Sequence, residues 1–166
     1  MLIGVAITPV VLLVAAFAAA ALGLWPVSAA PEPGALETRA AQFAFTAALA
    51  RRAPRVASPV SATTDNLLVG MKIYRDNCEG CHGGADRVPS DFGASFYPRV
   101  PQFPIHPPRR PVWQLHYVIR NGVRWTAMPG WRRLLSDDDM WRAATFVSRI
   151  DSLPPEVVAE WRRRGR

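Results

Sequence analysis

The chain is 166 residues long, and 20 Lys and Arg against 13 Asp and Glu give it a formal net charge of +7. A basic balance suits nucleic acid, but residues 1–31 carry no charged side chain and are largely apolar, which points to a membrane and argues against a nucleic-acid partner. With two cysteines there is no third thiol for a zinc site.

From Leu2 to Trp25 the chain is apolar apart from Gly4, Thr8, Pro9 and Gly23. About 20 apolar residues cross a bilayer as a helix. A signal peptide has a basic start and an apolar run of roughly 7 to 15 residues. Residues 1–30 therefore read as a transmembrane anchor, with cleavage near Val27-Ser28-Ala29-Ala30 as the rival. Pro31 and Pro33 break the segment. Gly34 to Arg52 is rich in alanine and predicts a helix ended by Pro54, with a stripe of Leu36, Ala40, Phe43 and Ala47 suited to a partner or the membrane, unless the helix is a plain stalk. Arg55 to Ala62 lacks periodicity and reads as a linker. The chain then divides into the anchor, a helical stalk and linker at 31–62, a domain at 63–153, and a basic tail at 154–166.

The domain opens with capping candidates in Thr64-Asp65-Asn66-Leu67, followed by Leu67, Gly70, Ile73, Tyr74 and Asn77 at helical intervals. Gly70 costs this helix about 1 kcal/mol, which predicts the close approach of another backbone. The helix delivers Cys78-Glu79-Gly80-Cys81-His82. Two thiols three residues apart share a face, and each can add to a haem vinyl group; the adjacent imidazole can then ligate iron. The spacing thus reads as covalent attachment of one c-type haem, which uses both cysteines and leaves no disulfide. Zinc is the first rival, but His106 and His116 are too far apart for paired ligands. A thioredoxin-like pair is the second, but it wants a strand upstream where this chain has helical spacing. A haem would also complete the core of a domain close to the lower limit of self-sufficient size.

Gly83 to Arg110 is rich in Pro, Gly and aromatics, fits no regular element, and is expected to wrap the haem edge. Pro111 starts a helix through Trp113, Leu115, Tyr117 and Ile119, closed by Asn121-Gly122. The loop that follows holds Met128, whose thioether is the candidate second axial ligand; His106 and His116 are rivals. Ser136 and three aspartates then cap a last helix with Met140, Ala143, Ala144, Val147 and Ile150 on one side, ended by Pro154 and Pro155. Between Asp91 and Asp137 there is no acidic residue but seven arginines, at 99, 109, 110, 120, 124, 132 and 133. They suggest a positive rim on the methionine side that docks an acidic partner, with haem propionates and solvent as the competing use.

From Asn66 to Ile150 the chain resembles a class I mono-haem cytochrome c of the membrane-anchored bacterial type. Four matches carry the resemblance. They are Gly70 and Tyr74 ahead of Cys78-Glu79-Gly80-Cys81-His82-Gly83; Ile119-Arg120-Asn121-Gly122-Val123; Thr126-Ala127-Met128-Pro129; and Met140-Trp141 with Phe146. The resemblance leaves the expected N-terminal transmembrane helix outside it and implies an all-α fold, with first and last helices crossing at Gly70 and haem c held between His82 and Met128. It also implies a proline carbonyl bonded to the His82 ring. Pro98 is the first candidate, against Pro89 and Pro101, and Arg99 beside it is assigned to the cofactor.

Thioether and imidazole at both axial positions leave the iron no place for substrate, so the function expected is one-electron transfer between respiratory redox proteins, without enzymatic activity of its own. The alternatives are a haem c subunit fixed in a dehydrogenase or oxidase complex and, less favoured, a haem sensor or enzyme with an open sixth position. Haem attachment of this kind is an export-side process in the family. The expected location is therefore the bacterial cytoplasmic membrane, with the haem domain on the periplasmic side.

Overall fold

The computed structural model describes the backbone of residues 2–163 and the side chains of residues 8–163. Among the described residues eight helices follow one another: α1 Leu2–Ala21, α2 Ala35–Arg52, α3 Thr64–Asn77, α4 Glu79–His82, α5 Asp91–Ala94, α6 Val112–Asn121, α7 Asp137–Ser148 and α8 Pro155–Arg163. No strand occurs among the described residues, as an all-α cytochrome c fold requires. The chain falls into two compact units, residues 1–31 and 32–166.

The first unit is α1. Its apolar composition continues to Trp25, but the helix stops at Ala21, contains Pro9, and is followed by Gly23 in a left-handed conformation with φ 71°. No helix among the described residues is long and apolar enough to cross a membrane. The transmembrane anchor, and with it the expected placement in the bacterial cytoplasmic membrane with the domain on the periplasmic side, is therefore corrected. The run of apolar letters is longer than the helix that carries it.

In the second unit, α2 begins and ends where its composition predicts, but the expected stripe is not its buried side. Leu36 and Phe43 are exposed, whereas Leu49 and Ala53 are buried. The loop between α5 and α6 meets this helix. The Arg110 guanidinium lies 5.0 Å over the Phe45 ring and donates to Thr46 Oγ1 at 3.2 Å, and the Tyr97 hydroxyl donates to Glu37 at 2.6 Å.

The packing centre is the crossing of α3 and α7. Thr63, one residue ahead of the predicted caps, accepts from the Asn66 amide, and Ser136 caps α7 by accepting from the Asp139 amide. A Cβ at Gly70 would collide with the Arg142 carbonyl oxygen and lie 2.9 Å from Phe146 Cβ, so the two backbones meet where the glycine removes its side chain. Tyr74, Met140, Ala144 and Phe146 are shut off from solvent around this point. Helix α6 adds Leu115 and Ile119 to the same core.

Past Pro154 the structure departs from the expected tail. Pro155 opens α8, a position that tolerates its missing N–H. The helix buries Val157 and Trp161 in the core. The Trp161 ring stands edge-on to Tyr74 at 5.7 Å and to Phe146 at 5.2 Å.

Candidate haem site

Cys78 ends α3 and starts α4. Its carbonyl accepts from the amides of both Cys81, at 3.1 Å, and His82, at 2.9 Å, so one turn carries both thiols and the imidazole. Both cysteines are free and half-buried. Burial, with a contribution from the neighbouring Cys81, pushes the Cys78 thiol up to about 12, so it is held neutral. Gly83 leaves the turn with φ 87°. Its carbonyl accepts from the Tyr74 hydroxyl at 2.8 Å, and burial raises that phenol far above its ordinary value, so it remains a donor.

His82 is 8% exposed. Its Nδ1–H donates to the Pro101 carbonyl at 2.8 Å, which makes Nε2 the basic nitrogen. Burial lowers the ring's pKa, against the opposing pull of that hydrogen bond, so the imidazole stays neutral and able to ligate a metal. Phe103 stacks on it at 4.2 Å. The carbonyl partner is therefore Pro101, one of the three prolines in contention, and not Pro98. The backbone explains the choice: the Phe103 amide donates to the His82 carbonyl at 3.0 Å, which brings residues 101–103 alongside the ring.

Arg99 is also placed differently from its expected cofactor role. Its Nε donates to Glu32 at 2.9 Å, and its Nη1 to the carbonyls of Ala94 and Phe96. An acidic residue 67 positions earlier thus holds this arginine.

Met128 is half-buried against the core. Its loop is closed by the Val123 amide donating to the Met128 carbonyl at 3.0 Å, and by Thr126 Oγ1, which donates to the Val123 carbonyl and accepts from the Met128 amide. The rival ligands are occupied or remote from the core. His106 is exposed. His116 is stacked on Trp141 at 3.8 Å and bonded to Asp137 at 3.1 Å.

Two contributors were not legible beforehand. Gln102 donates to the carbonyls of Cys81 and Val100 and accepts from the Ser90 amide, tying the long loop to the attachment turn. Glu79 accepts from Trp161 Nε1 at 2.7 Å, which ties α8 to the same turn. Neither has a local signal, since a Gln in a loop and a Glu between two cysteines look like solvated residues until the chain folds.

The donor set fits haem c: two thiols on one turn, a buried neutral imidazole with one nitrogen committed to a carbonyl, and a thioether on a braced loop. Trp131 Nε1, buried with no hydrogen-bond partner among the described residues, is a donor of the kind a propionate accepts. An all-helical fold closed at Gly70 around such a set defines a class I c-type cytochrome, a protein that transfers electrons. The sequence matches the family described as cytochrome c oxidase, cbb3-type, subunit III, over residues 65–147, half of the chain, and the chain belongs to that family. Its cofactor is covalently bound haem c. Among solved structures it is similar to a chain of the reducing HAO-like protein complex of Kuenenia stuttgartiensis, with 23% identity and a TM-score of 0.48, over 62% of this chain. It spans about half of that neighbour's length, 53%. No curated protein matches.

Proposed function

We propose that the protein passes single electrons between redox protein partners, with Cys78 and Cys81 carrying the haem and His82 and Met128 as its axial pair. Haem c supplies the one-electron iron couple; the chain supplies its environment. Pro101 sets the orientation of His82, Phe103 covers the ring, Gln102 secures the turn, and the Thr126 hydroxyl braces the loop that presents Met128. The observation that carries this reading is the commitment of His82 Nδ1 to Pro101, which leaves Nε2 for the iron, together with a methionine braced against the same core. With both axial positions filled from within the chain, no position is left for a substrate or gas. A second reading, a haem c subunit fixed in a larger oxidoreductase, is favoured by the family's description as an oxidase subunit.

Carbon monoxide and acid-acetone test the proposal. The reduced protein should leave carbon monoxide unbound, and its pigment should stay with the polypeptide on extraction. Carbon monoxide binding by the wild type would move it to the sensors and enzymes, and haem recovered in the organic phase would remove Cys78 and Cys81 from attachment. Affinity purification of the native protein separates the two readings, because a stable multi-subunit oxidoreductase would favour the second.

A further inference from the structure

We propose that the tip of the loop leading to Met128, formed by Arg124 and Trp125 with Arg132 and Arg133 beside it, is the docking face for a redox protein whose contact surface is acidic around an apolar recess. The proposal rests on the electron-transfer reading and adds to it the surface and the chemistry of the partner.

Backbone geometry brings these residues together. Beyond the Val123–Met128 closure, the Trp131 amide donates to the Ile119 carbonyl at 3.0 Å and the Arg132 amide to the Arg120 carbonyl at 3.4 Å. Outgoing and returning segments are thus paired, and residues 124–127 project beyond them. The base is tight as well. A Cβ on Gly122 would lie 2.6 Å from the Gly130 amide nitrogen, and one on Gly130 would lie 2.9 Å from the Asn121 carbonyl group. A braced base gives a preorganised tip, which lowers the ordering cost of binding.

Trp125 is the unusual residue. Its side chain is 88% exposed, and it has φ 64°, a left-handed conformation that a bulky side chain rarely adopts. The polypeptide buries little of this indole and accepts backbone strain at it, the pattern of strain kept at functional positions. Leu134 nearby in sequence is also exposed.

Charge selects the partner. Three of the seven arginines in the acid-free interval are engaged within the molecule: Arg99 with Glu32, Arg110 with Phe45 and Thr46, and Arg120 with Asp137. Arg124, Arg132 and Arg133 are exposed and have no acidic partner among the described residues. Asp137, the nearest acid in sequence, is already bonded to His116 and Arg120. The result is an exposed indole next in sequence to Arg124, with Arg132 and Arg133 on the returning segment and, among the described residues, no acidic side chain paired with any of the three, the residue types that dominate binding hot spots. A second copy presents the same positive face and is repelled, whereas an acidic protein is steered toward it.

The test uses the haem-loaded full chain in stopped flow, with reduced plastocyanin, an acidic copper protein, and hydroquinone, a small neutral reagent, as alternative electron donors. From plastocyanin, the rate should fall at least about tenfold as salt shortens the Debye length from about 30 Å to about 8 Å. Reversal in the double variant Arg124→Glu, Arg132→Glu should slow the low-salt rate about tenfold and flatten the salt dependence. Trp125→Ala should weaken saturation by plastocyanin while keeping the salt slope. All variants should retain the wild-type haem spectrum and hydroquinone rate. Plastocyanin rates indifferent to salt, to reversal and to Trp125→Ala, with hydroquinone transfer intact, would overturn the docking face and leave electron transfer standing. Failure to accept electrons from either reagent would overturn both. Loss of the hydroquinone rate on reversal would reassign the arginines to the haem and overturn the proposal. Vesicles containing phosphatidylserine provide the last arm: wild-type binding lost in Trp125→Ala, with plastocyanin rates unchanged, would assign the tip to a lipid surface instead.

Discussion

Asp137, the first residue of α7, accepts from His116 at 3.1 Å, Arg120 at 2.6 Å and Trp141 Nε1 at 3.2 Å. Burial alone would raise its carboxyl, but His116 and Arg120 outweigh that and hold it below the usual carboxylate range. Burial lowers the His116 pKa despite Asp137, with Arg120 adding to the effect. The folded protein therefore resists a proton that the unfolded chain takes up near the ordinary imidazole value of about 6.5. The stability from neutral His116 is full above that value and is lost as pH falls through the lowered folded one. Guanidinium unfolding at pH 7 and pH 5 should show a smaller drop in midpoint for His116→Phe, which keeps the stack on Trp141, than for the wild type. Equal drops would remove His116 as the source. In the loop between α6 and α7, Met128→Ala should lower the reduction potential and open the iron to carbon monoxide, since the thioether raises the one and blocks the other. An unchanged spectrum would hand the sixth position to His106 or His116.

Among the elements, the crossing of α3 and α7 depends on one missing side chain. Gly70→Ala adds a methyl group where the Arg142 carbonyl and Phe146 Cβ already stand, and neither is the loose end of a flexible side chain. The helix-propensity gain of about 1 kcal/mol is in the opposite direction. Overpacking costs typically about 1–3 kcal/mol, so the net effect is destabilisation, read as a lower denaturant midpoint. A midpoint unchanged or raised would mean that the helices slide apart without cost. The same close approach was legible beforehand, because a glycine inside a good helical pattern has few other uses. The buried side of α2 was not. Its alanine-rich surface offers several equivalent stripes; the loop that carries Tyr97 and Arg110 meets Glu37, Phe45 and Thr46, and the buried positions are Leu49 and, just past the helix, Ala53.

At the scale of the molecule, α8 ties the C-terminal end of the described chain to the haem-attachment turn through the Trp161–Glu79 bond across 82 positions. Trp161→Ala removes a core indole set against Tyr74 and Phe146, and a loss of about 3–5 kcal/mol is expected in chemical unfolding. Trp161→Phe keeps an aromatic ring and deletes the donor, so it should cost only about 1 kcal/mol. Equal losses in the two variants would show that the bond to Glu79, not the packing, governs the contribution of α8.

What the sequence by itself determined is what depends on near neighbours. Two thiols three residues apart, a histidine next to the second, cap candidates at Thr64–Leu67 and at Ser136, and a glycine in a helical stripe state their chemistry within one or two turns; covalent haem follows from the spacing, and the all-α architecture from the resemblance to a class I cytochrome c that those residues carry. What only the tertiary structure decided depends on groups far apart along the chain. Pro89, Pro98 and Pro101 offer the same carbonyl in a loop without periodicity, and the pairing of Phe103 with His82 selects Pro101. Arg99 belongs to Glu32 because α2 folds back on the loop. Val157 and Trp161 enter the core because Pro155 starts a helix where composition alone suggested a tail. The apolar run at the N-terminus was read by its length in letters, while the end of α1 at Ala21 is a property of the backbone. Local spacing fixes which chemistry is available; the long-range contacts, each paid for in chain entropy only once the core closes, decide which atoms perform it.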